Sequence, residues 1–278
     1  MIRFGPAGLG GVKEAVSNLE RYAKLGLKAC EIAFTYGVYI KESQEKEIKE
    51  IRETAEKLDI KLSIHAPYWI NLNSKEKRKI EESKKRIIDC CSIGEKLNVR
   101  YVVFHPGYYG KDEKEKTYES IKEAILDILK EIKKNKWKIK LAPETTGKVN
   151  VFGSVDEILR LSRETGCFFC VDFAHVFARE QGKTSYEEIY EKFGNFPSLH
   201  AHFSGIEWGE KGERRHIVTD EKEIKELISA LPKDKDITIV NESPMPVEDS
   251  VKSLKIYERT LAYSVFLSCF SFDVKELD

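Results

Sequence analysis

Six consecutive apolar runs in this chain of 278 residues end on, or beside, a histidine, an aspartate or a glutamate. The six residues are spaced 28 to 40 positions apart, and they are His65, His105, Glu144, Asp172, His202 and Glu242. His175 lies three positions after Asp172. Imidazole and carboxylate groups are the usual protein ligands of zinc and of other divalent transition metals. The pattern predicts a metal centre if the fold brings the ends of the six runs together.

The number of these side chains exceeds what one tetrahedral ion can use, so at least two ions with a shared carboxylate are expected. Without metal, Glu144, Asp172 and Glu242 would concentrate negative charge, which costs free energy unless some of them protonate. Two ions a few ångströms apart suit the hydrolysis of a phosphodiester, because they activate a water and stabilise the attacking and leaving oxygens.

Eight apolar runs alternate with amphipathic stretches such as Val12–Leu25, Ser74–Leu97 and Tyr118–Lys134. The runs are Ile2–Gly5, Lys28–Phe34, Lys61–Ala66, Arg100–Pro106, Lys138–Glu144, Cys167–Phe173, Ser198–Ser204 and Asp236–Glu242. Eight strand–helix units in about 250 residues predict an α/β fold, a (β/α)8 TIM barrel, as a single domain over residues 1–278. An open doubly wound sheet is the alternative. In a barrel the strand ends share one rim, where active sites lie.

Composition places limits on location and partners. Hydrophobic residues make up 41% and charged residues 34%, while 47 Lys and Arg balance 47 Asp and Glu. Any basic footprint for nucleic acid must therefore be local. The N-terminus does not resemble a secretory signal, and no apolar run approaches the roughly 20 residues of a membrane span, which favours a cytoplasmic protein. Cys167 and Cys170 lie on opposite faces of a predicted strand, and the cysteines are interpreted as core thiols. The hydrophobic stretch Tyr263–Phe272 is interpreted as a packed tail.

Each candidate ligand also has a structural interpretation. Asp172 can be the cap of the following helix, and a single histidine at a strand end is often only hydrogen-bonded. His200 lies two residues before His202 on the same strand face, and is interpreted as a packing residue. His216 lies in the polar segment Gly212–His216, interpreted as a loop, where it can simply be exposed. Agreement among six strands favours the metal centre.

Six short segments resemble the endonuclease IV family of apurinic/apyrimidinic endonucleases. They are His65-Ala-Pro-Tyr-Trp-Ile-Asn-Leu72, Phe104-His-Pro-Gly107, Pro143-Glu-Thr-Thr-Gly147, Asp172-Phe-Ala-His175, His202-Phe-Ser204 and Asn241-Glu-Ser243. Their order and their placement at successive strand ends carry the resemblance, since each segment alone is short.

The resemblance implies a function and a ligand set. The family cleaves double-stranded DNA 5′ to abasic sites, as a monomer, and uses zinc (Zn), with manganese (Mn) or magnesium (Mg) as the alternative here. One ion would be held by His65, His105 and Glu144, and the second by Glu144, Asp172, His202 and Glu242. Glu144 would bridge the two and act as the catalytic residue that orients or deprotonates the attacking hydroxide. His175 and His216 would hold a third ion.

The chain departs from the family at the third ion. The family has Asp-Arg-His where this chain has Arg214-Arg215-His216, and a guanidinium cannot ligate a metal. Two alternatives follow. Glu213 can substitute from the neighbouring position, or Arg214 can replace the ion's positive charge and bind the phosphate itself.

A second departure concerns DNA. Tyr68 matches a position that the family inserts into the duplex, but the loop Thr35–Tyr39 lacks the arginine-bearing insertion of well-known bacterial members. Other side chains at the rim can contact DNA, or can pack against one another and form a solvated surface. These are Tyr36, Tyr39, Trp69, Tyr108, Tyr109, Lys111, Lys114, Lys116 and Lys148.

Two other functions remain open from sequence. One is a sugar isomerase or epimerase of the xylose isomerase-like superfamily, which also places carboxylates and histidines around one or two divalent ions. The other is a non-catalytic DNA- or protein-binding barrel that kept part of the site. A metal count separates them: two or three zinc ions favour the nuclease, manganese or magnesium the isomerase, and no ion the binding protein.

Overall fold

The computed structural model describes residues 1–194, 196–232 and 234–270. Eight short parallel strands form a barrel, and two further strands form a hairpin beside it. The strands are β1 (Ile2–Pro6), β2 (Ala29–Ala33), β3 (Lys61–His65), β4 (Tyr101–Phe104), β5 (Lys140–Pro143), β6 (Val171–Asp172), β7 (Ser198–Phe203), β8 (Gly205–Gly209), β9 (Gly212–Ile217) and β10 (Asp236–Asn241). Each of the eight predicted runs overlaps one barrel strand, so the predicted strands are confirmed.

The barrel closes through two short junctions. Strands β2 to β5 pair in sequence order, and a second sheet has the order β1-β10-β7-β6. Parallel bridges between Ala7 and Glu31 and between Glu144 and Cys170 join the two sheets. The eight strands therefore form a ring in the order β1 to β7 and then β10. The (β/α)8 barrel is confirmed, and the open doubly wound sheet is wrong.

Amphipathic helices cover the outside of the barrel. The helices are α1 (Ala15–Lys24), α2 (Glu45–Lys57), α3 (Lys77–Lys96), α4 (Lys114–Lys134), α5 (Val155–Thr165), α6 (Phe173–Arg179), α7 (Tyr186–Phe193), α8 (Glu221–Ala230) and α9 (Pro246–Phe270). In α4 the buried residues Ile121, Ile125, Ile128 and Ile132 recur every three or four positions, so one stripe faces the strands. This stripe fixes the rotation of the helix on the barrel.

The polar segment Gly212–His216 is a strand and not a loop, which corrects the sequence interpretation. It belongs to β9, which pairs antiparallel with β8. Gly212 has a φ of +88°, and a Cβ there would lie 2.1 Å from the carbonyl oxygen of Gly147. The glycine thus lets the hairpin approach the loop after β5, where the Glu213 amide donates to the Gly147 carbonyl at 3.0 Å.

Three remaining sequence predictions have different outcomes. The cysteines whose side chains the structure describes are buried free thiols, which confirms the core interpretation; they are Cys30, Cys90, Cys91, Cys167 and Cys170. The predicted packed tail Tyr263–Phe272 falls almost wholly on side chains outside the described residues. Within the described ranges, no helix has the length and apolar character needed to cross a membrane.

Candidate metal centre

The strand-end residues meet at one rim of the barrel, as the sequence predicts. Within the described part of the chain they form three neighbouring groups, and in each group the potential ligand atoms lie within 4.8 Å of one another. The groups are His65, His105 and Glu144; Glu144, Asp172, His202 and Glu242; and Asp172, His175 and His216. The first two groups are the two ligand sets that the family resemblance implies.

Glu144 lies at the centre of the cluster and its side chain is fully buried. Its Oε2 is 3.1 Å from Nε2 of His65 and 2.9 Å from Nε2 of His105. Its Oε1 is 3.1 Å from Nδ1 of His202 and 3.4 Å from Nδ1 of His175. The two carboxylate oxygens therefore face two different sets of imidazoles, and a carboxylate placed in this way could be shared by two cations.

The charges of the metal-free cluster compensate one another. Burial acts to raise the pKa of Glu144, but the neighbouring charges of His105 and His202 hold that pKa well below its ordinary value. Burial acts to lower the pKa of His65, whereas its hydrogen bond to Glu144 raises that pKa to about 9. The pKa of His202 is likewise raised well above its ordinary value, against the effect of burial, by the negative groups around it. Without bound cations, protonated imidazoles would balance the buried carboxylates, and binding of cations would displace those protons.

Asp172 provides a direct test of whether cations fit. Its Oδ1 accepts a hydrogen bond of 2.8 Å from the His175 amide, so Asp172 does cap α6. Among the residues described, its Oδ2 has no hydrogen-bond partner although it is buried. Nδ1 of His175 lies 3.4 Å from this oxygen, which is an ion-pair distance without a hydrogen bond. A buried carboxylate oxygen without a hydrogen bond is costly, and a cation shared with Glu242 and His202 would satisfy it. The donor set fits zinc, and the two interpretations of Asp172 are compatible.

His175 and His216 face each other beside Asp172. The carbonyl of Thr145 lies 3.0 Å from Nδ1 of His175 and accepts a hydrogen bond from it, so the neutral form of this ring has its lone pair on Nε2. That Nε2 lies 3.2 Å from Nε2 of His216 and 3.5 Å from Oε2 of Glu213. The structure therefore brings Glu213 to the two histidines. Arg214 is exposed, its guanidinium lies beside Gly209, and it is not among the residues that line the pocket.

A β-bulge places Glu213 on the side of β9 that faces His175. In a regular strand, residues 213 and 216 would point to opposite faces, since side chains alternate. Here Glu207 pairs with Arg215 and Trp208 pairs with Glu213, so Arg214 is an extra residue in the register of β9 against β8. Because of this extra residue, Glu213 and His216 lie on the same face of β9, and both point at His175.

The sequence interpretation missed Glu31, which lies in the middle of β2 and is fully buried. Its Oε1 is 3.0 Å from Nε2 of His202, and its Oε2 accepts a 2.7 Å hydrogen bond from Ser63. His200, expected to pack, contacts the same carboxylate at 3.3 Å. Burial acts to raise the pKa of Glu31, but His202 and His200 hold it below its ordinary value. The available signal was a glutamate inside the apolar run Lys28–Phe34.

A pocket of about 290 Å3 opens above the cluster. Glu144, Asp172 and His202 are buried beneath it, while the remaining ligand candidates reach its wall together with Tyr68, Tyr108 and Lys148. The rest of the lining comprises His65, Ile70, His105, Gly107, Thr146, Val151, His175, Glu213, His216 and Glu242. The rim thus offers both cation ligands and aromatic surface to a bound molecule.

The rim aromatics divide into two sets. Tyr109 is buried and donates to Glu157, and the ring of Tyr39 packs on Phe34, with 5.0 Å between centroids. The packing alternative is confirmed for Tyr109, while Tyr39 packs on Phe34 and remains 38% exposed. Tyr36 and Trp69 are 83% and 58% exposed with ring centroids 6.3 Å apart, and Tyr68 and Tyr108 are 57% and 50% exposed. These four remain available to a ligand.

Comparison with known proteins places the chain in a family. Residues 19–260 match the family described as xylose isomerase-like TIM barrel. A probable endonuclease 4 of Carboxydothermus hydrogenoformans is 28% identical over 236 residues, which cover 78% of this chain and 82% of that protein. The chain is an endonuclease IV-like member of the xylose isomerase-like TIM barrel family.

Further relatives of this endonuclease IV-like chain differ in coverage. An uncharacterized protein of Methanocaldococcus jannaschii is 39% identical over 272 residues, 92% of this chain and 97% of the relative. An apurinic-apyrimidinic endonuclease of Caenorhabditis elegans is 34% identical over 156 residues, which are 52% of this chain but only 38% of that protein. The family assignment therefore extends over nearly the whole chain, while the match to the named nematode enzyme covers about half of it.

Solved structures agree on the fold of the endonuclease IV-like chain. Endonuclease IV from Thermus thermophilus has a TM-score of 0.69 at 21% identity, covering 94% of this chain and 99% of that one. A D-tagatose 3-epimerase-like protein has a TM-score of 0.67 at 21% identity, covering 95% and 99%. At such identities the two similarities establish the barrel alone, and they do not separate a nuclease from an epimerase.

Proposed function

We propose that the chain is a metal-dependent phosphodiesterase that hydrolyses the DNA backbone 5′ to abasic sites. The observation that carries the proposal is the shared carboxylate of Glu144, whose two oxygens face two different imidazole pairs. Two zinc ions held there would activate a water and stabilise the oxygens at the scissile phosphate. The endonuclease names of the Carboxydothermus and Caenorhabditis relatives support the same reaction.

The chain's own residues would position the substrate. The pocket, at about 290 Å3, is at the small end of ligand sites and suits a sugar-phosphate without a base better than a complete nucleotide. Tyr68 at its edge would enter the space left by the missing base. Tyr36 and Trp69, both exposed, would stack on neighbouring bases. Glu144, held among the imidazoles, would orient or accept the proton of the attacking water.

The test is incision of a duplex that contains one abasic site, by protein loaded with zinc. We expect one cut 5′ to the site, leaving a 3′-hydroxyl and a 5′-deoxyribose phosphate, and no cut in the same duplex with an intact base. Protein that carries two or more ions per chain and leaves the abasic duplex uncut would contradict the proposal. Epimerisation of ketosugars by that protein would then support the second candidate, a sugar epimerase on the same barrel fold.

Lys148 is expected to contribute to DNA affinity, because it lines the pocket and is exposed. Replacing it with alanine removes one phosphate contact, so the plot of log binding constant against log salt should become shallower by about 1. Titration of a fluorescent abasic duplex at several salt concentrations measures this slope. The matched control is Lys57→Ala at the C-terminal end of α2, at the opposite end of the barrel from the pocket. Equal slopes for the two variants would remove Lys148 from the interface.

The proposal includes a third ion held by His175, His216 and Glu213. Replacing Glu213 with glutamine should remove one zinc equivalent or weaken it by at least about tenfold, since a neutral amide is a poor zinc ligand. Elemental analysis of zinc per chain after gel filtration measures the change. Arg214→Ala is the matched control, because its guanidinium lies beside Gly209 and it should keep the full zinc content. Loss of the equivalent in Arg214→Ala, with retention in Glu213→Gln, would contradict the assignment.

A further inference from the structure

We propose that Glu31 is a positioning residue that holds His202 with its Nδ1 directed at the metal centre. The inference rests on the proposed function, in which His202 is a ligand of the second ion. Glu31 lies beneath the cluster in the barrel interior, and its carboxylate contacts Ser63, His200 and His202. Of these three, His202 alone belongs to the proposed ligand sets. The direct contact of Glu31 with the centre therefore passes through one imidazole ring.

The two nitrogens of His202 face different carboxylates. Nδ1 is 3.1 Å from Oε1 of Glu144 and 3.5 Å from Oε1 of Glu242, on the side of the cluster. Nε2 is 3.0 Å from Oε1 of Glu31, on the side of the barrel interior. A neutral imidazole carries one proton, and the negative charge of Glu31 beside Nε2 favours that proton on Nε2, although the 3.0 Å contact is an ion pair and not an aligned hydrogen bond. Nδ1 is then left with the lone pair that a cation needs.

Glu31 is itself held rigidly by the barrel. Glu31 of β2 stands directly opposite Ser63 of β3 in the strand register, and the Ser63 hydroxyl donates to Oε2 at 2.7 Å. Nε2 of His200, from β7, contacts the same oxygen at 3.3 Å. All three side chains are buried. Because three strands fix the carboxylate, rotation of the His202 ring would separate Nε2 from Oε1 of Glu31.

Another arrangement would place a cation deeper in the barrel. Cys170, His200 and His202 also have potential ligand atoms within 4.8 Å of one another, and an ion there would lie in the barrel interior. The direct 3.0 Å contact between Nε2 of His202 and Glu31 favours the positioning role over a cation at that nitrogen. The zinc count distinguishes the two arrangements.

The first test uses the unaltered protein labelled with 15N in its six histidines and loaded with zinc. We expect a proton on Nε2 of His202 and none on Nδ1, read from the 15N shifts and couplings. A proton on Nδ1, or a metal-bound Nε2, would overturn the inference without any variant being made.

The second test replaces Glu31 with glutamine, which keeps the size and removes the charge. We expect one zinc equivalent to bind 10- to 100-fold more weakly in a chelator competition, with the other equivalents unchanged. Glu31→Asp should recover part of the affinity, and Ser63→Ala, which leaves the contact with His202 intact, should change it less. Unchanged zinc affinities in Glu31→Gln, or loss of a whole additional equivalent, would overturn the positioning role. Failure of the proposed function looks different, because the unaltered protein would then bind zinc and leave abasic DNA uncut.

Discussion

Glu144→Gln is expected to lower the rate of incision at an abasic site by more than about a hundredfold. Loss of a residue that only supports a ligand typically costs 10- to 100-fold, and Glu144 faces two ligand groups at once. The amide keeps the shape of the side chain but presents an NH2 group to one set of imidazoles. The measurement is single-turnover incision of an abasic duplex, together with zinc content per chain.

The control for Glu144→Gln is a second substitution at the rim that leaves every ligand candidate in place. Trp69→Ala serves this purpose, because the indole is exposed and packs on Tyr36. We expect it to weaken DNA binding and to leave zinc content and the single-turnover rate at saturating DNA unchanged. Equal incision rates for Glu144→Gln and unaltered protein would remove Glu144 from the mechanism.

Removal of metal is expected to reverse the pH dependence of the stability of the fold. In the metal-free protein the pKa of His65 is raised to about 9 by Glu144, above the ordinary value of 6.5. A raised histidine pKa stabilises the fold fully below about 6.5, and that contribution is lost as pH rises through about 9. His175 and His202 are shifted in the same direction. The metal-free protein should therefore lose stability between about pH 6.5 and pH 9.

The zinc-loaded protein should behave in the opposite way over this range. Ligand imidazoles must give up their protons to bind a cation, so affinity rises with pH, and bound metal stabilises the fold in proportion. The measurement is the melting temperature at pH 6, 7.5 and 9, for protein treated with a chelator and for protein with stoichiometric zinc. We expect the difference in melting temperature between the zinc-loaded and the chelator-treated protein to widen as pH rises. A difference that narrows toward pH 9 would contradict the description of the cluster as imidazolium protons exchanging with cations.

The sequence by itself determined the barrel and the predicted ligands at its strand ends. Strands are short apolar runs, and a parallel barrel places every strand end at the same rim, so local patterns were sufficient to predict that the strand-end histidines and carboxylates meet there. Their division into ligand sets came from the family resemblance. The capping role of Asp172 could also be predicted, because a cap depends only on the residues that follow it.

Tertiary structure alone decided the contacts between residues of distant strands. The contact of Glu31 with His202 depends on which strands face each other across the interior, and strand periodicity does not encode that. The place of Glu213 depends on a single extra residue, Arg214, in the pairing of β8 with β9. A one-residue change in register reverses the face of a side chain, and only the paired strand reveals the register. For the same reason, spacing along the chain could not tell that Tyr109 packs inward while Tyr36 remains exposed.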